Sequence, residues 1–132
     1  MAQTDLFIKL LRKYFPNPQC ALTFETPFQL LVATVLSAQC TDERVNKVTP
    51  VLFEKYPDAN VMARAKVADV EKIIMSTGFF RVKAKNIVKA SQILVEKFEG
   101  DVPQDKSELV KLPGVGTKTA NVVLGTAFGI AS

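Results

Sequence analysis

The residue in this sequence that is best suited to covalent chemistry is a lysine that follows two closely spaced glycines. Lys118 lies in the segment LPGVGTKTANVVL, which covers residues 112–124. A neutral lysine amine is a good nucleophile and can form an iminium with a carbonyl carbon. Because the amine is mostly protonated at neutral pH, burial, nearby positive charge or a base that takes the proton would have to activate it. Without its motif, Lys118 would be interpreted as an ordinary exposed lysine.

The glycine-containing turn of the same segment is suited to binding phosphate. Two short helices should flank it, and glycines at positions 114 and 116 allow positive φ and leave no side chain in the way. The bare amides and the partial positive charge at the second helix's N-terminus would attract a polyanion. Such contacts anchor DNA without reading its base sequence, and the alternative is a plain connection between two helices. The candidate DNA-binding residues of this turn are Gly114, Val115, Gly116, Thr117 and Thr119.

The basic residues are distributed unevenly along the chain. The sequence has 17 Lys and Arg against 13 Asp and Glu, and the resulting net charge of +4 decides little. However, residues 79–90 contain only basic charges, and no acid follows Glu108. These stretches could form a surface that faces phosphate, or equally a solvated helix face. Their basic residues are Arg81, Lys83, Lys85 and Lys89 in the first stretch, and Lys111 and Lys118 in the second.

The composition also excludes several classes of site. The sequence has no His, which rules out Ser-His and Cys-His nucleophile pairs and His-ligated zinc. Cys20 and Cys40 do not have the spacing of metal ligands, so we expect ordinary reduced thiols and no metal site. No apolar stretch reaches the ~20 residues of a membrane helix, and the N-terminus does not have the order of a secretory signal. These features predict a cytoplasmic protein with no membrane partner.

The elements that must position these residues are predicted to be helices. Apolar residues repeat at intervals of three and four almost everywhere, and no alternating strand pattern occurs. A chain of 132 residues with 48% hydrophobic content suits one globular domain. The sequence therefore predicts a single all-α domain over residues 1–132. Thr26 and Pro27 should begin a helix that runs to about Ser37 and, being apolar on nearly all sides, lies at the centre.

Caps, glycines and prolines bound the other predicted helices. Thr41 or Asp42 should cap a helix to about residue 56, which Pro50 should kink or split. Asp105 and Glu108 resemble the capping box of a short helix. The remaining predicted helices cover residues 61–64, 67–77, 82–98, 105–112 and 117–128.

Three segments together resemble the endonuclease III-type DNA glycosylases of the helix-hairpin-helix superfamily. LPGVGTKTANVV at 112–123 resembles the family's hairpin. SAQCTDERVNKV at 37–48 resembles the loop and helix after its buried second helix, and TGFFRVKAKNI at 77–87 resembles its second DNA-facing loop. The resemblance implies a helical-barrel fold, base excision repair, removal of oxidised pyrimidines and strand nicking by β-elimination. It also implies double-stranded DNA with a damaged base or an abasic site as the partner, and a location at a bacterial or archaeal nucleoid.

The family's residue roles carry over onto the matching positions. Lys118 matches the lysine that attacks the sugar C1′, expels the base and forms a Schiff base, which then eliminates the 3′ phosphate. Gln39 matches the residue that fills the gap left by a flipped nucleotide, and Phe79 matches an apolar wedge against the opposite strand. The alternatives are an ordinary polar residue at a helix end for Gln39 and a core side chain for Phe79. The candidate phosphate contacts are Arg81, Lys83 and Lys85.

Other parts of the family's pattern are not found in these residues. An Asp that helps to activate the lysine would follow a few residues beyond Ser132, and the ligands of the family's 4Fe-4S cluster would lie further on. We therefore expect no cofactor in this chain and impaired catalysis. The N-terminal helix, residues 1–16, would lack its usual C-terminal partner and could mediate self-association. Its apolar stripe consists of Leu6, Phe7, Leu10, Leu11 and Tyr14.

Three alternatives to a lyase remain open at this point. The chain could be a non-catalytic helix-hairpin-helix module that only holds DNA. It could be a purine-directed relative of the same superfamily, although Lys118 argues against the members that lack a lysine there and have no lyase activity. It could also be an all-α interaction domain, in which case DNA binding would not weaken with salt as phosphate binding must.

Overall fold

The central helix α1, Pro27–Leu36, begins at the cap that the sequence predicts. Thr26 Oγ1 accepts a hydrogen bond from the Gln29 amide at 3.2 Å, and Pro27 occupies the first helical position, where its missing N–H loses no bond. Every residue of α1 after Pro27 is buried. The prediction of a central buried helix is therefore confirmed in the computed structural model, which describes residues 22–129.

Over residues 22–129 the chain forms seven α-helices and one 3-10 turn, with no strand, which confirms the all-α fold. α5 packs against α3 and α4, while α1 packs against α2, α5 and α7. The leucines at the centre of this packing, Leu30, Leu52, Leu94 and Leu109, have no exposed surface. The elements after α1 are α2 (Asp42–Lys55), α3 (Ala59–Met62), α4 (Val67–Ile74), the 3-10 turn Met75–Thr77, α5 (Phe80–Phe98), α6 (Lys106–Leu109) and α7 (Thr117–Ala127).

Helix α2 settles two predictions that the sequence left open. Its N-cap is Thr41, whose Oγ1 accepts from the Arg44 amide at 3.1 Å, and Asp42 is the first helical residue. The expected split at Pro50 is wrong, because one continuous helix runs through it. A proline inside a helix costs about 3 kcal/mol. Buried side chains on both sides of Pro50, including those of Val48 and Leu52, hold the two halves against the core and offset that cost.

The middle of the chain contains helix ends that differ from the predicted ones. The predicted turn at 61–64 begins earlier, at Ala59, because Asp58 Oδ1 accepts from the Val61 amide at 2.9 Å and caps it there. The predicted helix at 67–77 is divided, since α4 ends at Ile74 and the 3-10 turn completes it before Gly78, whose φ is 77°.

The next two helices also differ from the predicted ranges. α5 begins at Phe80 rather than at residue 82, and α6 ends at Leu109 rather than at residue 112. The capping box at α6 is incomplete. Asp105 Oδ1 accepts from the Ser107 amide at 2.9 Å, whereas the Glu108 carboxylate pairs with Lys111 Nζ at 3.4 Å. The N-terminal helix predicted at residues 1–16 and its apolar stripe lie outside the described residues.

Candidate nucleic-acid interface

Apolar side chains anchor the predicted hairpin in the core. α6 and α7 pack against each other, and Leu112, Val115 and Ala120 are buried. The Val115 amide donates to the Leu112 carbonyl at 3.1 Å and closes the turn. Since both the amide and the side chain of Val115 are engaged, this candidate DNA-binding residue shapes the turn instead of presenting a donor. Gly114 and Gly116 are left on the surface.

The two glycines of the turn have different conformations. Gly114 has a φ of 81°, in the region that L side chains avoid, and a Cβ at this position would lie 3.1 Å from the Asn86 side chain on α5. Gly116 does not use the positive φ that glycine allows, since its backbone is extended, with φ −95° and ψ −176°. It serves instead as an N-cap that has no side chain.

The N-terminus of α7 presents backbone donors to the surface. The first amides of an α-helix have no acceptor within the helix, and Gly116 offers no side chain to cap them. Thr117 and Lys118 are exposed, and Thr119 is half-buried. Because a helix N-terminus also carries partial positive charge, these amides form a site that can bind a phosphate oxygen.

Lys118 occupies the second position of α7 with its side chain exposed. It takes part in neither of the two ion pairs found among residues 22–129, which join Lys47 to Glu43 and Lys111 to Glu108. Its amine also donates no hydrogen bond to any residue that the structure describes. The Lys118 amine could therefore contact a ligand whose phosphate group is bound by the neighbouring backbone amides.

Two non-glycine residues of the candidate interface have left-handed backbones. Gln39 has a φ of 53° in the turn after α1, and Phe79 has a φ of 46° immediately before α5. Such conformations cost about 1–3 kcal/mol each and cluster at functional sites. The Phe79 side chain is 65% exposed, so its interpretation as a core residue is wrong. Gln39 is exposed as well, and both side chains are accessible to a partner.

Lys83 is a correction to the predicted set of phosphate contacts. Its side chain is buried, and its Nζ donates to the carbonyls of Leu36 and Thr77, both at 2.8 Å. Burial lowers the pKa of the Lys83 amine below its ordinary value, and the Cys40 side chain acts in the opposite direction. The prediction failed because Lys83 lies on the buried stripe of α5, four residues before buried Ile87. This helical spacing can be recognised in the sequence alone.

Arg81 and Lys85 are exposed, which a contact with phosphate requires. The guanidinium of Arg81 lies over the Phe80 ring at 5.5 Å from its centroid, a cation–π contact that favours this orientation of the arginine. A solvated helix face would look the same, so the roles of these two residues stay predictions.

Helix α5 brings the three predicted segments together. Lys83 bonds the residues that precede the Gln39 and Phe79 turns, and the side chain of Asn86 faces Gly114 of the hairpin. Residues three apart on a helix share a face, so the two turns and the hairpin meet the same side of α5. Sequence reasoning missed Asn86, because its side chain lies close to the backbone of Gly114, a residue 28 positions away that has no side chain of its own.

No group of His, Cys, Asp and Glu side chains within residues 22–129 could hold a metal ion. Cys40 is a free, half-buried thiol. The described residues thus do not fit the thiolate ligand set of an iron–sulfur cluster. In the same part of the chain, no helix is long and apolar enough to cross a membrane.

Comparisons with known proteins agree with this arrangement. The model of the HhH-GPD superfamily base excision DNA repair proteins matches residues 32–127. Endonuclease III of Synechocystis sp. is 61% identical over 121 residues, which are 92% of this chain and 55% of that relative. The chain thus spans little more than half the length of this relative.

Two solved structures have the same fold and high sequence identity. One is a non-covalent Endonuclease III–DNA complex, with a TM-score of 0.84 and 49% sequence identity. The match covers 98% of this chain and 60% of that one. The other is a trapped Endonuclease III–DNA covalent intermediate, also with a TM-score of 0.84, at 48% identity over 98% of this chain and 61% of that one. Both relatives were therefore captured on DNA, one of them through a covalent bond.

Proposed function

Because the chain belongs to the HhH-GPD superfamily of base excision DNA repair proteins, we propose that it binds double-stranded DNA at a damaged base or an abasic site. We further propose that Lys118 attacks the sugar at that site. The activity is that of a DNA glycosylase with abasic-site lyase activity, directed to oxidised pyrimidines. Its substrate lies in the chromosome, which places the protein at the nucleoid in the cytoplasm of a bacterial or archaeal cell.

The hairpin provides the anchor in this proposal. A phosphate oxygen accepts hydrogen bonds from the amides at the start of α7, which Gly116 leaves uncapped. The contact is independent of base sequence, as a repair protein that must scan the whole chromosome requires. Exposed Arg81 and Lys85 add contacts to neighbouring phosphates.

The turns at Gln39 and Phe79 select the damaged position. Extruding a nucleotide costs a few kcal/mol in lost stacking and pairing, and a side chain that fills the gap offsets part of that cost. Gln39 enters the gap, and the exposed ring of Phe79 packs against the opposite strand. Damage weakens stacking, so a flipped conformation forms most readily at the lesion.

Lys118 carries the covalent step. Its neutral amine forms a bond to C1′, and the glycosidic C–N bond breaks with its electron pair leaving on the base, which takes up a proton. Loss of a proton from the nitrogen and opening of the sugar ring give a Schiff base. Removal of a C2′ proton then breaks the C3′–O bond, and the 3′ phosphate leaves with that electron pair. Hydrolysis of the Schiff base returns the free amine.

One observation carries the proposal. Lys118 is exposed and makes no ion pair or hydrogen bond with another described residue, in the first turn of a helix whose amides are uncapped. The same turn therefore binds the phosphate backbone and offers a nucleophile next to it.

Borohydride trapping on a duplex with one abasic site tests the proposal. Borohydride reduces a Schiff base to a stable amine, so the wild-type chain should form a covalent adduct and Lys118→Ala should form none. Lys111→Ala is the matched control, because Lys111 is an exposed lysine of the same hairpin region. It should still form the adduct.

The other outcomes identify the alternatives. If neither wild type nor Lys118→Ala forms an adduct, yet both bind the duplex with an affinity that falls as salt rises, the chain is a non-catalytic DNA-binding module. Binding that does not change with salt would rule out the phosphate anchor and favour an all-α interaction domain.

A further inference from the structure

We propose that Lys83 is a positioning residue that couples the Gln39 turn to the Phe79 turn and so sets how well the protein distinguishes damaged from intact DNA. This inference rests on the proposed function, since it concerns the same DNA interface. It assigns a role to the one lysine of the predicted phosphate contacts that the structure buries.

The acceptors of Lys83 lie directly next to the two turns. Leu36 is the last residue of α1 and precedes the turn that contains Gln39, and Thr77 ends the 3-10 turn just before Gly78 and Phe79. The Nζ of Lys83 bonds both carbonyls at 2.8 Å. Within residues 22–129, no other hydrogen bond links these two segments.

Both turns need support of this kind. Gln39 and Phe79 have left-handed backbones, which persist only where the surroundings hold them in place. The hydrogen bonds inside each turn are local: the Cys40 amide donates to the Ser37 carbonyl, and the Gly78 amide donates to the Met75 carbonyl. Local bonds fix the shape of each turn but not the position of one turn relative to the other.

The chemistry of the acceptors explains why a lysine occupies this buried position. Carbonyls at a helix C-terminus have no partner within the helix and carry partial negative charge. A buried amine without hydrogen bonds would be costly, and burial here lowers the pKa of Lys83. Two helix-end carbonyls supply the missing bonds, so a long side chain with several donors can satisfy both at once.

The coupling matters because the two side chains act on one lesion. Gln39 enters the gap in one strand while Phe79 meets the opposite strand, so their separation must match that of the opened duplex. The hairpin contributes equally to intact and damaged DNA. Removing the Lys83 bonds should therefore affect the discrimination between the two duplexes and leave the anchoring largely unchanged.

The test compares two dissociation constants for the full chain. One is measured on a duplex with a single tetrahydrofuran abasic analogue, and the other on the same duplex without it, at one salt concentration. Lys83→Met, which keeps an apolar chain of similar length, should reduce the ratio of the two constants by about tenfold. The constant for the intact duplex should stay close to that of wild type. Lys97→Met removes the same charge from the exposed far end of α5 and should leave the ratio unchanged.

A second comparison separates positioning from general destabilisation. In a Gln39→Ala, Phe79→Ala background, adding Lys83→Met should cause no further loss in the ratio, because the residues through which Lys83 acts are gone. Loss of folded protein alone would weaken both constants equally. If Lys83→Met does not fold, Lys83→Gln, which retains N–H donors on a shorter chain, is measured in its place and should lose part of the ratio.

Three results would overturn the inference or its premise in distinguishable ways. An unchanged ratio in folded Lys83→Met or Lys83→Gln would overturn the positioning role alone. A full further loss in the Gln39→Ala, Phe79→Ala background would show that Lys83 acts elsewhere. A wild-type chain that does not distinguish the two duplexes would overturn the proposed function, and the inference with it.

Discussion

At the scale of single residues, the two glycines of the hairpin show how one residue type serves two purposes. Gly114 is favoured by its positive φ and by the Asn86 side chain, which would lie only 3.1 Å from an added Cβ. Gly116 has neither constraint, since its φ is −95° and the space around it is open. Because Gly116 has no side chain, the first amides of α7 stay uncapped. This property favours binding of a ligand and is not needed for the fold.

The substitution Gly116→Ser tests this separation of function from stability. A serine N-cap accepts a hydrogen bond from an amide of the first turn, so stability should rise by a few tenths of a kcal/mol, about 0.3. The same hydroxyl competes with phosphate for that amide. A hydrogen bond to a charged group contributes about 1.5–3 kcal/mol, so affinity for an intact duplex should fall at least about tenfold. Urea unfolding and fluorescence anisotropy measure the two effects.

A serine elsewhere on the same helix provides the control. Gly125 is exposed in α7 and nothing lies within 4 Å of a Cβ built there. Gly125→Ser should raise helix stability slightly without changing DNA affinity. Undiminished DNA affinity in Gly116→Ser would mean that the amides of α7 do not bind phosphate.

At the scale of elements, the start of α2 is the clearest case in which the sequence offers two caps and the structure chooses one. Thr41 Oγ1 accepts from the Arg44 amide at 3.1 Å, while Asp42 stands inside the first turn. Thr41→Ala should therefore lower the free energy of unfolding by about 1 kcal/mol. Thr41→Ser retains the acceptor and should lose little. Chemical denaturation of each variant measures these changes.

Asp42→Ala is the informative comparison for the same helix. Asp42 is half-buried at the start of α2, where its carboxylate interacts with the partial positive charge of the helix N-terminus, a contribution of about 0.3–1 kcal/mol. Its loss should be smaller than that of Thr41→Ala. If Asp42→Ala lowered the free energy of unfolding more than Thr41→Ala does, Asp42 and not Thr41 would be the residue that caps α2.

Helix positions were predictable from the sequence to a greater extent than helix ends. The apolar periodicity of α1 and the Thr26 cap are local signals, and both are confirmed. The continuity of α2 through Pro50 depends on burial of Val48 and Leu52 against other helices. The early end of α6 at Leu109 was not predicted either, because Asp105 and Glu108 do not form the capping box that their spacing suggests.

The candidate site divides in the same way. Short motifs singled out Phe79 and Lys118, and both side chains are exposed, as contact with a partner requires. The roles of Lys83 and Asn86 depend on contacts between segments far apart in sequence, the longest spanning 47 residues. Lys83 was misassigned because a basic residue in a basic stretch was interpreted by its charge, although its spacing to Ile87 placed it on the buried face.

At the scale of the whole molecule, α5 is the element that ties the interface to the core. Its buried stripe packs against α3 and α4, and Lys83 and Asn86 on the same helix meet the two turns and the hairpin. The net charge of +4 is small, so attraction to DNA should depend on local donors and not on a strong overall field. Self-association through the N-terminal stripe stays a prediction, since that stripe lies outside the described residues.

The location of the covalent bond shows whether Lys118 is the nucleophile. The wild-type chain is reacted with an abasic duplex and borohydride, and the adduct is digested with nuclease and trypsin for mass spectrometry. Trypsin does not cleave after a modified lysine, so we expect one peptide that begins at Leu112, continues past Lys118 into Thr119 and carries the sugar remnant at Lys118. Recovery of the unmodified peptide 112–118 from the purified adduct, with the remnant on another lysine, would contradict this assignment.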